Sequence, residues 1–194
     1  MKERIKGAFT KKKIFHFLKM ALFVVALSLI LLSLLGTVAH ATGHYPTMSI
    51  ADIKALPVSD IAARDCALFM WITFPCLQEA MEVLSAWGFE YKTVAFVWIK
   101  QNRKSDSLFW GMGYWTRANA ELCILATRGH PKRQSHSVHQ VIMSHIEEHS
   151  KKPEEARERI VQLMGDLPRI ELFARQSPAG WDVWGNGHTK RRVF

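Results

Sequence analysis

The chain has 194 residues, enough for one compact domain with a core of its own, and 48% hydrophobic content excludes a wholly disordered protein. Its formal charge of +9 does not mark a basic globular surface: Lys2, Arg4, Lys6, Lys11, Lys12, Lys13 and Lys19 against Glu3 carry six of the nine excess charges, and Lys190, Arg191 and Arg192 carry the other three. The span 42–189 is charge-balanced, so bulk attraction to a polyanion is not built into it. Three cysteines, Cys66, Cys76 and Cys123, with no Cys-x-x-Cys spacing, exclude a disulfide scaffold or a zinc ribbon and read as reduced, buried thiols.

In chain order, a basic stretch over 1–19 precedes a nearly unbroken apolar run from Met20 to Ala39. That run is about 20 residues, the length of a bilayer-crossing helix, and Ala39-His40-Ala41 has the small-x-small form of a signal-peptidase site. A signal peptide and an uncleaved anchor both fit, and the positive flank would stay cytoplasmic. A buried core helix is the alternative, weakened by the lack of a polar face. The character changes near Gly43. Ser49 caps a short helix that runs to about Leu56 and stops at Pro57. Cys66–Thr73 is a continuous apolar run, as in a strand buried on both faces. Pro75 opens a helix ending near Gly88. Tyr91–Lys100 is the next strand, 102–116 a long polar and aromatic loop, and Glu121–Thr127 a third strand. Pro153 opens a second amphipathic helix that Gly165 ends, followed by strands at Ile170–Ala174 and Trp181–Trp184. Alternation of apolar strands with amphipathic helices predicts a largely parallel, Rossmann-like α/β sheet.

Site signals from spacing alone are few. His136, His139, His145 and His149 mimic zinc spacing, but no cysteine or paired acid completes a tetrahedral set, so a solvated loop and helix face is expected and no metal. Phe109-Trp110 and Tyr114-Trp115 lie in a glycine-rich loop; they suit stacking on a base or burial of their own rings. Arg128, Lys132 and Arg133 are candidate phosphate contacts. Gly-x-Gly-x-x-Gly, Walker and Gly-x-Ser-x-Gly motifs are absent, which leaves a dinucleotide dehydrogenase, an NTPase and an α/β-hydrolase unsupported.

Three ordered blocks carry a resemblance: His44-Tyr45-Pro46-Thr47-Met48-Ser49; Ser150-Lys151-Lys152-Pro153-Glu154; and Ile170-Glu171-Leu172-Phe173-Ala174-Arg175 with Gly180-Trp181-Asp182-Val183-Trp184-Gly185-Asn186. Over about 43–187 the chain resembles the MT-A70 family of adenine-N6 methyltransferases, its bacterial and phage DNA-methylating branch most of all. The resemblance implies a Rossmann-like methyltransferase fold, S-adenosylmethionine as methyl donor, a nucleic-acid substrate (DNA rather than RNA) and a cytoplasmic parent enzyme. It implies donor-binding roles for Lys152 at the carboxylate end, for Glu171 and Arg175 at a strand end, and for Asn186 at the adenosine, with Tyr45 in a loop beside the catalytic pocket. The family's Asp-Pro-Pro-Trp motif at the end of a central strand is absent, and the leader stands in its place. The expectation is therefore three segments: a leader 1–41 that is a signal peptide, membrane anchor or fused foreign piece; a methyltransferase-like domain 42–189; and a basic tail 190–194. The domain is expected to lack its central catalytic strand, to follow a hydrophobic N-terminal helix, and to carry no catalytic residues. Two activities follow: methyl transfer to adenine N6, or a non-catalytic subunit that binds the donor or an active partner, membrane-anchored through 20–39.

Overall fold

The computed structural model describes residues 22–25, 48–148 and 150–185. Seven strands form one sheet in the order β5-β3-β4-β2-β1-β6-β7, where β1 is Leu22–Val25, β2 Cys66–Ile72, β3 Glu90–Gln101, β4 Ala120–Arg128, β5 Val141–His145, β6 Arg169–Leu172 and β7 Asp182–Trp184. Only β4 runs against its neighbours; every other pairing is parallel. The largely parallel sheet expected from the strand–helix alternation is what forms.

Strand β2 shows why its sequence reads as an unbroken apolar run. All seven residues are buried, and they alternate between two cores. Cys66, Leu68, Met70 and Ile72 face helices α1 (Ile50–Lys54), α2 (Val58–Ile61) and α3 (Leu77–Ala86). Ala67, Phe69 and Trp71 face α4 (Glu154–Met164) through Ala156, Ile160 and Met164. Ser49 Oγ accepts from the Asp52 amide at 3.1 Å as the cap of α1, and Trp87 Nε1 donates to Ile53 O at 3.0 Å, locking α3 onto α1. Gly165, with φ 89, ends α4. The three cysteines are buried and none forms a disulfide; burial pushes the Cys66 thiol up to about 12 and raises Cys123 as well, which leaves both unreactive.

The leader departs from expectation. Leu22–Val25 are not helical: they form β1, paired in parallel with β2 on one side (Leu22 opposite Ala67) and β6 on the other (Leu22 opposite Arg169). The slot expected to be empty is thus filled, and β2 and β6 are not open edges. The physical reason is that Leu-Phe-Val-Val suits a strand covered on both faces as well as it suits a bilayer. A membrane helix over 20–39 and this strand are exclusive uses of the same residues, because the run left after Val25 is well short of the ~20 residues a span needs. Among the described residues no helix is long and apolar enough to cross a membrane. The other leader residues, Tyr45, His149, Asn186 and the basic tail lie outside the described residues. Sequence periodicity does not show β5, which lies where a solvated loop and helix face is expected, nor the single turn of α2.

Val24→Pro removes a ladder donor from the middle of the sheet. The expected loss is about 1–3 kcal/mol, or a Tm lower by ~2–12 °C. An unchanged melting curve would show that the leader does not occupy the slot.

Candidate donor-side site

Because six strands run the same way, their carboxyl ends lie along one edge of the sheet, joined there by the start of antiparallel β4. In open parallel sheets ligands bind at this edge. Lys100 near the end of β3, Glu121 at the start of β4 and Lys152 just ahead of α4 meet there. Lys100 Nζ lies 2.5 Å from Glu121 Oε1, and Lys152 Nζ pairs with Glu121 Oε2. Two tryptophans wall the cluster, with ring centroids 6.3 Å apart and nearly perpendicular. Lys152 sits 5.7 Å from the Trp71 ring and 5.9 Å from Trp98, and Lys100 sits 5.1 Å from Trp98. Trp98 is itself fixed by its Nε1 donating to Ser144 Oγ at 2.9 Å on β5.

One carboxylate faces two ammonium groups, so the cluster carries a surplus positive charge in a nearly dry place: the side chains of Lys152 and Glu121 are 9% and 12% exposed. Burial works against the Glu121 carboxylate, but Lys152 and Lys100 outweigh it and hold its pKa below the ordinary range. For Lys152 burial is the larger effect. It lowers the ammonium pKa despite Glu121, and the cations of Lys100 and Arg175 push the same way. Lys152 and Arg175, far apart in sequence, are therefore brought within electrostatic reach of each other.

Glu171 is placed differently. Its carboxylate, one residue before the end of β6, is gripped bidentately by Arg157 of α4, with Nε at 2.8 Å from Oε2 and Nη2 at 3.2 Å from Oε1. Arg157 also pairs with Glu154. Sequence reasoning overlooked Arg157; the signal available was an arginine three residues after Glu154 on a helix with an acid-rich first turn. Backbone geometry singles out the same blocks as the sequence did. The two non-glycine residues with left-handed φ among those described are Ser150 (60°), which leads into Lys151-Lys152, and Phe173 (59°), which ends β6 ahead of Arg175. Phe173 packs edge-on against Trp184 at 5.3 Å, and the Ala174 amide donates to Trp184 O at 3.0 Å. Gly185 lies so close that a Cβ there would stand 2.4 Å from Ala174 O, so only glycine fits before Asn186.

The predicted phosphate contacts fall elsewhere. Arg128 ends β4 opposite Cys66, at the far edge of the sheet, and donates to Ser59 O at 2.8 Å. Lys132 and Arg133 follow in a segment tied there by the His130 amide to Asp65 Oδ1 (2.7 Å) and the Gln134 amide to Leu163 O (2.7 Å). The structure does not bring these three to the edge that holds Lys152. Of the histidines, His145 Nδ1 lies 2.6 Å from Asn102 O, and no group of three metal-ligating side chains occurs among the described residues.

A family model described as MT-A70 matches residues 37–187. The chain belongs to the MT-A70 family. It is similar to the Type II methyltransferase M.MunI of a Mycoplasma species (36% identical, covering 76% of this chain and 61% of that protein). It is also similar to the N(6)-adenosine-methyltransferase MT-A70-like protein of Arabidopsis thaliana (28%, 76% and 22%) and to the N(6)-adenosine-methyltransferase catalytic subunit METTL3 of Homo sapiens (27%, 76% and 26%). The chain spans about three fifths of the first of these and about a quarter of the other two.

Glu121→Gln strands two buried ammonium groups and is expected to cost about 3–5 kcal/mol at neutral pH. Since the folded Glu121 pKa is depressed, its stabilisation is complete above the unfolded value of about 4.3 and is lost as pH falls below that toward the folded value. Urea denaturation across that range should show a steeper acid loss in the wild type than in the variant; parallel curves would contradict the pairing.

Proposed function

We propose that this domain binds S-adenosylmethionine at the carboxyl edge of its sheet and belongs to the chemistry of methyl transfer to adenine N6, with DNA as substrate. The observation that supports it most directly is the surplus cation at Lys152 beside Arg175. A donor with a sulfonium centre and a free carboxylate tail requires a cation at that tail and a polar residue at the end of a strand for its ribose hydroxyls. Lys152 and Arg175 suit the first role. Glu171, held rigidly by Arg157, suits the second, and the family resemblance assigns Asn186 to the adenosine. When bound, the donor supplies an electrophilic methyl group; the chain's own residues bind and orient it. Lys152 would exchange Glu121 for the donor carboxylate, and Lys100 would keep Glu121 compensated as it does so.

A second reading is favoured by one specific observation. β1 fills the central position, yet the residues after Val25 are Ala26-Leu27-Ser28-Leu29, which offer no carboxylate to accept a hydrogen bond from an adenine amino group. On this reading the chain binds the donor without turning it over and serves a catalytic partner subunit. Membrane attachment through 20–39 would require β1 to leave the sheet, so it is a separate state and not an addition to the folded domain.

Calorimetric titration with S-adenosylmethionine, run beside transfer of a labelled methyl group to adenine-containing DNA, separates the readings. Lys152→Ala is expected to weaken donor binding about 10- to 100-fold, the loss of one charge-assisted contact, whereas Arg128→Ala at the opposite edge leaves it unchanged. Absence of donor binding by the wild type would overturn both readings; binding without transfer would select the second.

A further inference from the structure

The β3–β4 hairpin loop crosses the same sheet edge as Lys152, and its side chains face outward. Trp110 is 75% exposed, Met112 93%, Tyr114 94% and Trp115 91%. Such a cluster of exposed rings is uncommon on a free surface and marks an interaction site. The alternative expected from sequence, that the loop buries its own rings, is not what the structure shows.

The loop is built to hold the rings out. Its base is closed by a bridge between Gln101 and Leu108, by the Phe109 amide donating to Lys100 O at 2.8 Å, and by Asn102 Nδ2 donating to Ser107 Oγ (2.9 Å) and Leu108 O (3.1 Å). At the tip, a Cβ on Gly111 would stand 1.8 Å from Ala118 O and one on Gly113 would stand 1.9 Å from Thr116 O, so both glycines let the chain fold back on itself. Tyr114 and Trp115 meet edge to face at 5.4 Å, and the Arg117 guanidinium lies 5.8 Å from the Trp110 ring centroid. Arg103, Lys104 and Arg117 against Asp106 give the loop a positive balance that the span 42–189 as a whole lacks.

We propose that this loop is a stacking platform for unpaired nucleotides, placed beside the donor-side site so that single-stranded or locally opened nucleic acid is what the domain engages. Flat rings offer their faces to any base, and base faces are accessible only where the strand is unpaired; the arginines and lysine serve the phosphates between them. The charge balance selects nucleic acid over a second protein, whose apolar contact would not require cations around the rings. The inference rests on the proposed methyltransferase reading for its substrate class but not for its measurement.

The test is fluorescence anisotropy of the full chain with a labelled, adenine-containing single-stranded oligodeoxynucleotide, the matching oligoribonucleotide and the blunt DNA duplex. Tighter binding of a single strand than of the duplex is expected, and the tighter of the two single strands identifies the source. Trp110→Ala, Tyr114→Ala and Trp115→Ala should each weaken single-strand binding about 5- to 150-fold. Trp110→Phe should restore most of it, with melting curves and donor titrations unchanged throughout. Equal affinity of the triple alanine variant and the wild type, or preference for the duplex, would overturn the platform. So would a triple variant that changes only the oligomeric state by light scattering, since that assigns the rings to a protein interface. Failed donor binding with intact single-strand binding would sink the methyltransferase reading and leave this one standing.

Discussion

Everything chemically interesting in this chain depends on the parallel run of six strands, because parallel pairing sends their carboxyl ends, and the loops that leave them, to one edge. The single exception strengthens the rule. β4 runs backward, so its first residues arrive at the edge where the others finish, and Glu121 reaches Lys100 and Lys152. It also makes the β3–β4 connection a hairpin loop over that edge. Had β4 been parallel, Glu121 would begin at the far edge and the two lysines would have no buried anion.

The Lys100–Glu121–Lys152 cluster shows how burial and pairing compete. A single carboxylate cannot neutralise two ammonium groups, so desolvation wins at Lys152 and pairing wins at Glu121. Each cation has a second source of support in the Trp71 and Trp98 rings. The same imbalance leaves a net positive charge at this edge of the sheet.

Legibility followed the strength of local signals. The doubly buried β2 was plain from its apolar run, and α1, α3 and α4 from Ser49, Pro75, Pro153, Gly88 and Gly165, because caps and breakers act on neighbours in sequence. β5 was not legible: of Val141–His145 only Ile142 is fully buried, so an edge strand with one anchored side chain left too little periodicity among its polar flanks. Arg157 escaped because its partner Glu171 lies on another element, and ion pairs between elements leave no spacing rule. Arg128, Lys132 and Arg133 looked suited to phosphate because sequence shows charge but not which edge of a sheet carries it. The family blocks were legible because they place residues at strand ends, where parallel topology gathers them.

The leader is where sequence and structure diverge most, and the divergence separates fold from chemistry. A central strand contributes to the sheet through its main chain and needs only side chains that tolerate burial on both faces; Leu22-Phe23-Val24-Val25 meets that requirement. The chemistry expected of a catalytic strand sits beyond its end, in residues that main-chain pairing does not select. The ladder between β2 and β6 forms although the four residues that follow Val25 in sequence, Ala26-Leu27-Ser28-Leu29, include no carboxylate. The fold does not depend on a carboxylate there, because the sheet is held by backbone pairing and two apolar cores.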